Sequence, residues 1–233
     1  MYASSAQLKD KAKGYLTGHY GLLIGILIIT ELISSVLDRF IPLSSNTVGY
    51  ILSAAIAFLV SVFMGVFNVG AALVYLKFAT GNTASLSDIF YGFFHHLEKA
   101  LQVSLVLNAL SLVLTLSYSV PYRMYLATGN RHYLFMMLPC LAAALLFYVP
   151  LSLCLSQCYF LMLDFPDKPA SEILCASFRI MKGHKGRLFY IELSFLPLLL
   201  LGAVSLIGML WVIPYMQMTY ATFYFDIMKQ EQR

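Results

Sequence analysis

Charged residues are scarce in this chain, at 11% of its 233 residues against about 25% in soluble domains. Apolar residues make up 60%, well above the roughly 45–50% of a soluble domain. A water-soluble core cannot take up this excess of apolar side chains, so an ordinary soluble domain is excluded. The composition predicts an integral membrane protein.

Groupings of residues that carry chemistry are also missing. The four cysteines, at positions 140, 154, 158 and 175, contain no CxxC pair, which argues against a disulfide framework or a zinc site. The adjacent His95 and His96 would point about 100° apart on a helix and chelate poorly. No HExxH, GxSxG or Walker spacing occurs. We therefore expect no cofactor, no metal and no enzymatic activity.

The chain does contain long apolar runs. Six of them are long enough to cross a hydrocarbon layer about 30 Å thick. They cover residues 20–37, 50–78, 101–118, 133–163, 189–207 and 208–227. The first run ends in Val36-Leu37-Asp38-Arg39, without the small-residue cleavage site of a signal peptide. The runs therefore predict an all-α membrane domain of six transmembrane helices.

The basic residues are distributed unevenly between the two sides of such a domain. With the N-terminus inside, 12 of the 15 Lys and Arg residues fall in cytoplasmic segments, and only Arg39, Arg123 and Arg131 fall outside. This strong positive-inside bias predicts a multi-pass protein of the cell membrane with both termini cytoplasmic. The bias also explains the net charge of +4. Membrane lipids and other membrane proteins are thus the expected partners, and nucleic acid is not.

A short amphipathic stretch precedes each pair of apolar runs. The stretches are 8–16, 86–94 and 171–181. In the first, the apolar positions 8, 12, 15 and 16 fall on one helical stripe, and the lysines are expected to face away. At the start of the second, Ser85 and Asp88 have the spacing of a capping box. Each unit predicts a cytoplasmic interfacial helix, an outward span, a short turn and a returning span. The units are pseudo-repeats, 6–80, 85–165 and 169–229, of one domain covering 1–233, and three such hairpins favour pseudo-threefold packing. The alternative is that any polytopic protein with amphipathic cytoplasmic loops shows this pattern.

Two of the returning runs are longer than a bilayer requires. Residues 50–78 and 133–163 would extend about 44–46 Å at 1.5 Å per residue. These helices must tilt, bend or project inward. The candidate positions for a bend are Gly65, Gly70, Pro150 and Pro214.

The C-terminal part of the chain carries a closely spaced series of residues. It contains Ser177-Phe178-Arg179-Ile180-Met181-Lys182-Gly183-His184-Lys185, Leu188-Phe189, Glu192-Leu193-Ser194-Phe195, Gly208, Leu210-Trp211-Val212-Ile213-Pro214-Tyr215, Phe223-Tyr224 and Asp226. In this series the chain resembles a family of bacterial integral membrane proteins catalogued as domain of unknown function 975. The resemblance implies a multi-span bacterial membrane protein of unassigned activity and carries over no catalytic residue.

Polar residues inside the predicted spans are candidates for function, because such groups are costly in a bilayer. Glu31 lies about 16 Å beyond the start of the first span, near the middle of the bilayer. It is either a protonated carboxyl bonded to a neighbour such as Asn108 or Gln157, a proton- or cation-coupling site, or an exposed group on a tilted helix. The full candidate set is Glu31, Asn68, Asn108, Gln157 and Gln217.

Charged residues near the cytoplasmic ends of the last two spans form a second candidate set. The densest basic cluster contains Arg179, Lys182, His184, Lys185 and Arg187. Such a cluster either binds anionic lipid head groups or only enforces topology. Glu192 and Asp226 are expected to be interfacial anchors that pair with Arg187, Lys185 or Lys229.

Two functions remain after these exclusions. The leading hypothesis is a non-enzymatic scaffold or accessory component, because polar residues are sparse and do not converge on a site in the sequence. The alternative is a small-solute carrier or lipid-handling protein that uses buried polar residues such as Glu31. If the five intramembrane polar residues face one another, the carrier hypothesis is favoured, and if they point to separate interfaces, the scaffold is.

Overall fold

The fold is known from a computed structural model that describes residues 2–42, 46–205 and 207–231. These residues form ten α-helices and a short 3₁₀ helix, with no strand among them. The α-helices are α1 Ser5–Leu16, α2 Tyr20–Asp38, α3 Thr47–Ala79, α4 Tyr91–His95, α5 Leu97–Thr128, α6 His132–Leu155, α7 Cys158–Asp164, α8 Ala170–Ile180, α9 Lys185–Ser205 and α10 Met209–Glu231. The 3₁₀ helix, Leu86–Phe90, leads directly into α4. The all-α class predicted from the apolar runs is thus confirmed for the described residues.

Five of the predicted transmembrane helices are long and apolar enough to cross a membrane. They are α2, α3, α5, the segment of α6 and α7 taken together, and α9. The sixth, α10, does not meet the same test of apolarity within the described residues, because it contains polar residues such as Gln217, Thr219 and Asp226. Thr219 is fully buried within the protein. A helix surrounded by other helices needs less apolar surface than one that faces lipid.

The third predicted span ended too early. The sequence placed its end at residue 118, but α5 continues for ten more residues through Pro121. The helix ends at Gly129, whose φ of 68° is the left-handed conformation that glycine adopts after a helix. The length of an apolar run reflects the thickness of the hydrocarbon layer. A helix can extend beyond that layer, and its residues there can be polar.

The fourth predicted span contains a break between α6 and α7. Ser156 donates its hydroxyl to the carbonyl of Leu153 at 2.8 Å, and the amide of Gln157 donates to Ser156 Oγ at 2.9 Å. Such local hydrogen bonds compete with the backbone hydrogen bonds of an α-helix. In contrast, α3 is continuous across both Gly65 and Gly70.

The two glycines of α3 are contact points rather than bends. A Cβ on Gly65 would overlap the Ser104 side chain of α5, and a Cβ on Gly70 would overlap the backbone of Ile89 in the 3₁₀ helix. Neighbouring segments therefore lie directly against the α3 backbone at these positions.

The best-packed part of the molecule contains the C-terminal portions of α3, α7 and α10. The rings of Phe160 and Tyr224 stack at 5.4 Å, and the Tyr224 hydroxyl donates to Asp164 at 2.6 Å. Helix α3 contacts both α7 and α10. Because Ala3 and Asp226 are hydrogen-bonded, the two ends of the chain lie together, and we call this the termini end of the bundle.

The three amphipathic stretches pack around these helices in a common pattern. Helix α1 packs on α10, the 3₁₀ helix and α4 pack on α3, and α8 packs on α6–α7. Each stretch therefore contacts the returning helix of the preceding unit, with the first unit contacting the last. Leu8, Ile89 and Ile173 occupy the same position after the helix start and are at most 1% exposed. The pseudo-threefold relation of whole units stays a prediction.

Helix α1 differs in two respects from the sequence-based expectation. Leu8, Ala12 and Leu16 are buried as the apolar stripe requires, but Tyr15 of the same stripe is 37% exposed. In addition, Lys9 does not face away from the protein. Its ammonium group donates to the carbonyl of Ser194 at 3.1 Å and lies 4.1 Å from the centre of the Phe195 ring. Because the Lys9 side chain is long, its ammonium group reaches α9 while its methylene chain remains packed.

Candidate ligand cavity

A cavity of about 430 Å³ lies between α2, α3, α5, α6–α7 and α10. Its wall residues lie near the middle of α2 and in the first half of α10. The cavity is lined by Ile26, Leu27, Thr30, Glu31, Phe67, Asn68, Ala71, Ala72, Tyr75, Leu107, Leu110, Tyr148, Ser152, Leu155, Ser156, Tyr159, Phe160, Ile213, Gln217 and Tyr220. Most of these side chains are apolar or aromatic, and a few polar groups are distributed among them.

Helix α2 contributes the acidic group of the cavity. Leu27, Thr30 and Glu31 line the wall, because residues three and four apart share a helix face. The Thr30 hydroxyl donates to the carbonyl of Ile26. Glu31 is exposed, and none of the ion pairs of the described residues includes it.

Helix α3 contributes an amide. Asn68 is exposed although its neighbours Phe67 and Val69 are buried, which is consistent with its position in the cavity wall. Beside it in the cavity wall, the Tyr159 hydroxyl of α7 lies 3.2 Å from Ser104 Oγ on α5. A hydrogen bond thus links α7 and α5 on this side of the cavity.

Helix α10 contributes Ile213, Gln217 and Tyr220, which are again spaced along one helix face. The Tyr220 hydroxyl donates to a Glu192 carboxylate oxygen at 3.4 Å. Glu192 belongs to α9 and does not line the cavity. It therefore contacts the wall from behind and helps to fix the direction of the Tyr220 ring.

The structure brings three of the five predicted polar residues together. Glu31, Asn68 and Gln217 line the cavity from three different helices. Asn108 instead donates to the carbonyls of Ser61 at 3.3 Å and Ser104 at 2.8 Å, and so links α5 to α3. The carbonyl oxygen of the Gln157 side chain is buried without a hydrogen-bond partner. Neither of these two amides bonds to Glu31 in the described part of the chain, contrary to one option considered above.

Sequence reasoning missed the polar face of α6–α7. Tyr148, Ser152, Ser156 and Tyr159 all line the cavity, and their spacing of four, four and three residues is that of one helix face. The spacing is present in the sequence. It does not stand out, because the run as a whole is strongly apolar and hydroxyl groups are common in packed transmembrane helices.

The predicted basic cluster separates into two parts. Arg179 and Lys182 are exposed, whereas His184, Lys185 and Arg187 are half-buried. Arg187 donates to Asp226 at 2.7 Å and to the carbonyl of Ala3 at 2.8 Å. Its guanidinium also lies 4.7 Å from the ring of Tyr2. Arg187 is thus occupied by contacts that hold the two ends of the chain together, which leaves the exposed pair as the better lipid-contact candidates.

The two predicted anchors have different partners. Asp226 forms the expected pair with Arg187 and also accepts from the backbone amide of Ala3 at 3.2 Å. Glu192 is bonded to Tyr220 rather than to a basic side chain. The anchoring role of both residues at a membrane surface stays a prediction.

The cavity wall presents hydrogen-bonding and aromatic groups. Among the described residues there is no cluster of three or more His, Cys, Asp or Glu side chains that would hold a metal. Cys154 and Cys158 are buried and not disulfide-bonded. The arrangement offers a carboxyl, two amides, several hydroxyls and aromatic faces to a bound molecule.

Comparison with known proteins gives a family but no characterised relative. No curated protein and no solved structure matches this chain significantly. The model of a family described as "Protein of unknown function (DUF975)" matches residues 1–231. Because the match covers nearly the whole chain, the protein belongs to the DUF975 family.

Proposed function

We propose that this protein is a multi-pass membrane protein that binds a small amphiphilic molecule in its central cavity, as a small-solute carrier or lipid-handling protein. The observation that carries the proposal is the convergence of Glu31, Asn68 and Gln217, from three helices, on one cavity. Polar groups are costly inside a membrane and usually mark a pathway or a binding site.

The size and lining of the cavity support this proposal. A volume of about 430 Å³ lies in the lower part of the range of about 300–1,000 Å³ that small-molecule sites occupy. Such sites combine a largely apolar wall with a few polar groups that orient the ligand. The volume favours a single-chain or compact ligand over a two-chain lipid.

The positions of the polar residues give less support to the scaffold hypothesis. It assumed that the intramembrane polar residues point to separate helix contacts. Asn108 does so and Gln157 does not line the cavity, but Glu31, Asn68 and Gln217 share one space. The carrier or lipid-handling function is therefore the better supported of the two.

The proposal includes six membrane crossings with both termini in the cytoplasm. The distribution of Lys and Arg supports this orientation. The 23 residues of α10 extend about 34 Å at 1.5 Å per residue, which is sufficient for a sixth crossing in the interior of the bundle. The exposed Arg179 and Lys182 would then face the inner membrane surface, where anionic lipids attract basic side chains.

Filling the cavity tests the binding function. Ala71 lines the cavity, so Ala71→Phe should occupy part of it, whereas Ala55 is exposed on the same helix and Ala55→Phe is the matched control. Each protein is purified in a mild detergent, and mass spectrometry identifies the small molecules released on denaturation. We expect a compound that the wild type and Ala55→Phe retain and that Ala71→Phe loses. The same compounds at equal stoichiometry in all three proteins would contradict the proposal.

A further inference from the structure

We propose that the cavity selects organic cations with an apolar body, such as an alkylated amine or a quaternary ammonium amphiphile. This inference rests on the proposed binding function and adds the chemical class of the ligand. It follows from the charge of the lining, the kind of surface beneath the charge and the burial of that surface.

The charge of the lining has one sign. Among the 20 residues that line the cavity, Glu31 is the only Asp, Glu, Lys, Arg or His. No basic side chain of the described residues forms an ion pair with it. A carboxylate at this depth is costly without a counter-ion, and a cationic ligand supplies one. An anionic ligand would meet the carboxylate without any basic group to bind its own charge.

The remaining wall is suited to an organic cation. Six of the lining residues are aromatic, namely Phe67, Tyr75, Tyr148, Tyr159, Phe160 and Tyr220. Aromatic faces attract ammonium groups, and binding sites for quaternary ammonium ligands are commonly built from such rings. A hard inorganic cation such as Ca²⁺ instead requires six to eight oxygen ligands, whereas this wall presents one carboxyl among mostly apolar and aromatic groups.

The burial of the lining residues gives the ligand a direction. Glu31 and Asn68 are exposed, whereas Tyr75 and Phe160 are each only 5% exposed. Tyr75 also lies two turns beyond Asn68 along α3, toward the termini end. The cationic group is therefore expected near Glu31, with the apolar body against the buried aromatic base.

A set of matched probes tests this class of ligand. Hexyltrimethylammonium is the cation, 2,2-dimethyloctane is its neutral isostere with carbon in place of nitrogen, and hexanesulfonate is the anion. Binding to the full-length protein in nanodiscs of zwitterionic lipid is measured by calorimetry, with empty nanodiscs subtracted. The variants are Glu31→Gln, which removes the charge at nearly constant volume, and Ala71→Phe, which fills the cavity.

We expect the wild type to bind the cation at least about tenfold more tightly than either other probe. Glu31→Gln should lose about tenfold or more in affinity for the cation and keep its affinity for the neutral isostere, while Ala71→Phe should lose both. Size-exclusion profiles and thermal unfolding establish that each variant is folded, and Glu31→Asp, which keeps the charge, should retain cation preference.

The possible failures are distinguishable. If the wild type does not prefer the cation, or if Glu31→Gln binds it unchanged while Ala71→Phe abolishes binding, the cavity binds ligands but the inferred class is wrong. If Ala71→Phe leaves the binding of every probe unchanged, the cavity is not the binding site and both proposals fail. If no probe binds the wild type, the cation class is overturned, and the co-purified compounds decide separately on the binding function.

Discussion

The backbone of Ile89 occupies the space that a side chain on Gly70 would need. Gly70 lies on α3. Ile89 is fully buried and lies in the 3₁₀ helix, which packs across α3. The same surface contains a second close approach, where a Cβ on Gly92 would contact the carbonyl of Val66. The segment from the 3₁₀ helix to α4 is therefore held against α3 at backbone distance.

The close approach at Gly70 predicts a sensitive position. Gly70→Ala forces a methyl group into the Ile89 backbone, and overpacking of this kind typically costs about 1–3 kcal/mol. Gly21→Ala is the control, because Gly21 is helical and a Cβ there meets nothing within 4 Å. Thermal unfolding in detergent should show a lower Tm for Gly70→Ala and an equal or slightly higher Tm for Gly21→Ala. Equal Tm values for Gly70→Ala and the wild type would contradict this packing.

The contact between Arg187 and Asp226 predicts a second sensitive position. Their side chains are 26% and 13% exposed, and removal of one partner leaves a partly buried charge. We expect Asp226→Asn to cost about 1–3 kcal/mol of stability. The exposed pair of Lys168 and Glu172, at 3.8 Å, is the control, and Glu172→Gln should change stability by less than about 0.5 kcal/mol. Unfolding curves that shift equally for both variants would argue against a structural role of Arg187.

The pair of Lys77 and Asp88, at 2.8 Å, predicts a pH dependence. Partial burial opposes ionisation of Asp88, but the hydrogen bonds from Lys77 and Ser85 outweigh it and lower the pKa of the carboxyl below its ordinary value. A carboxyl with a lowered pKa in the folded state stabilises the fold above its unfolded pKa, and this stabilisation is lost as the pH falls through the folded pKa.

The measurement for this pair is thermal unfolding as a function of pH. The wild type should exceed Asp88→Asn in Tm by a constant margin at neutral pH, and the margin should shrink below about pH 4, near the ordinary pKa of aspartate. At neutral pH, Lys77→Gln should exceed Asp88→Asn in Tm by less than the wild type does, because it removes the main partner of Asp88. A margin that grows as the pH falls would show that the sign of this pKa shift is wrong.

The proposed topology makes a separate prediction. A green fluorescent protein fused after residue 233 should fluoresce, and alkaline phosphatase inserted between Gly129 and Asn130, in the turn between α5 and α6, should be active. Truncation after Ser205 should reverse the first result, because it removes the proposed sixth crossing. Alkaline phosphatase activity from a fusion placed after residue 233 would contradict an even number of crossings with the N-terminus inside.

The sequence allowed accurate prediction of features that depend on local spacing. The buried stripe of Leu8, Ala12 and Leu16 follows from helical periodicity, and the capping box of Ser85 and Asp88 is present as predicted. Features that depend on contacts between distant segments were not predictable in the same way. Lys9 was assigned to the solvent side, yet it reaches Ser194, which is 185 positions away in the sequence.

The candidate site was predicted only in part, because it too depends on contacts between distant segments. Glu31 and Gln217 stand out in the sequence because each is a polar residue within a predicted span, and both line the cavity. The sequence contains no signal that separates them from Asn108, which is also a polar residue within a predicted span and instead bonds to backbone carbonyls. Only the packing of five helices determines which polar side chains share one space.

We propose above that Glu31, Asn68 and Gln217 surround a space that holds a ligand. An experimental structure of the wild-type protein in lipid nanodiscs, prepared without added detergent, would show whether this space is occupied. We expect non-protein density in contact with these three side chains. A bundle in which α2, α3 and α10 close on one another, with the three side chains directed to separate helix contacts and no space between them, would contradict it.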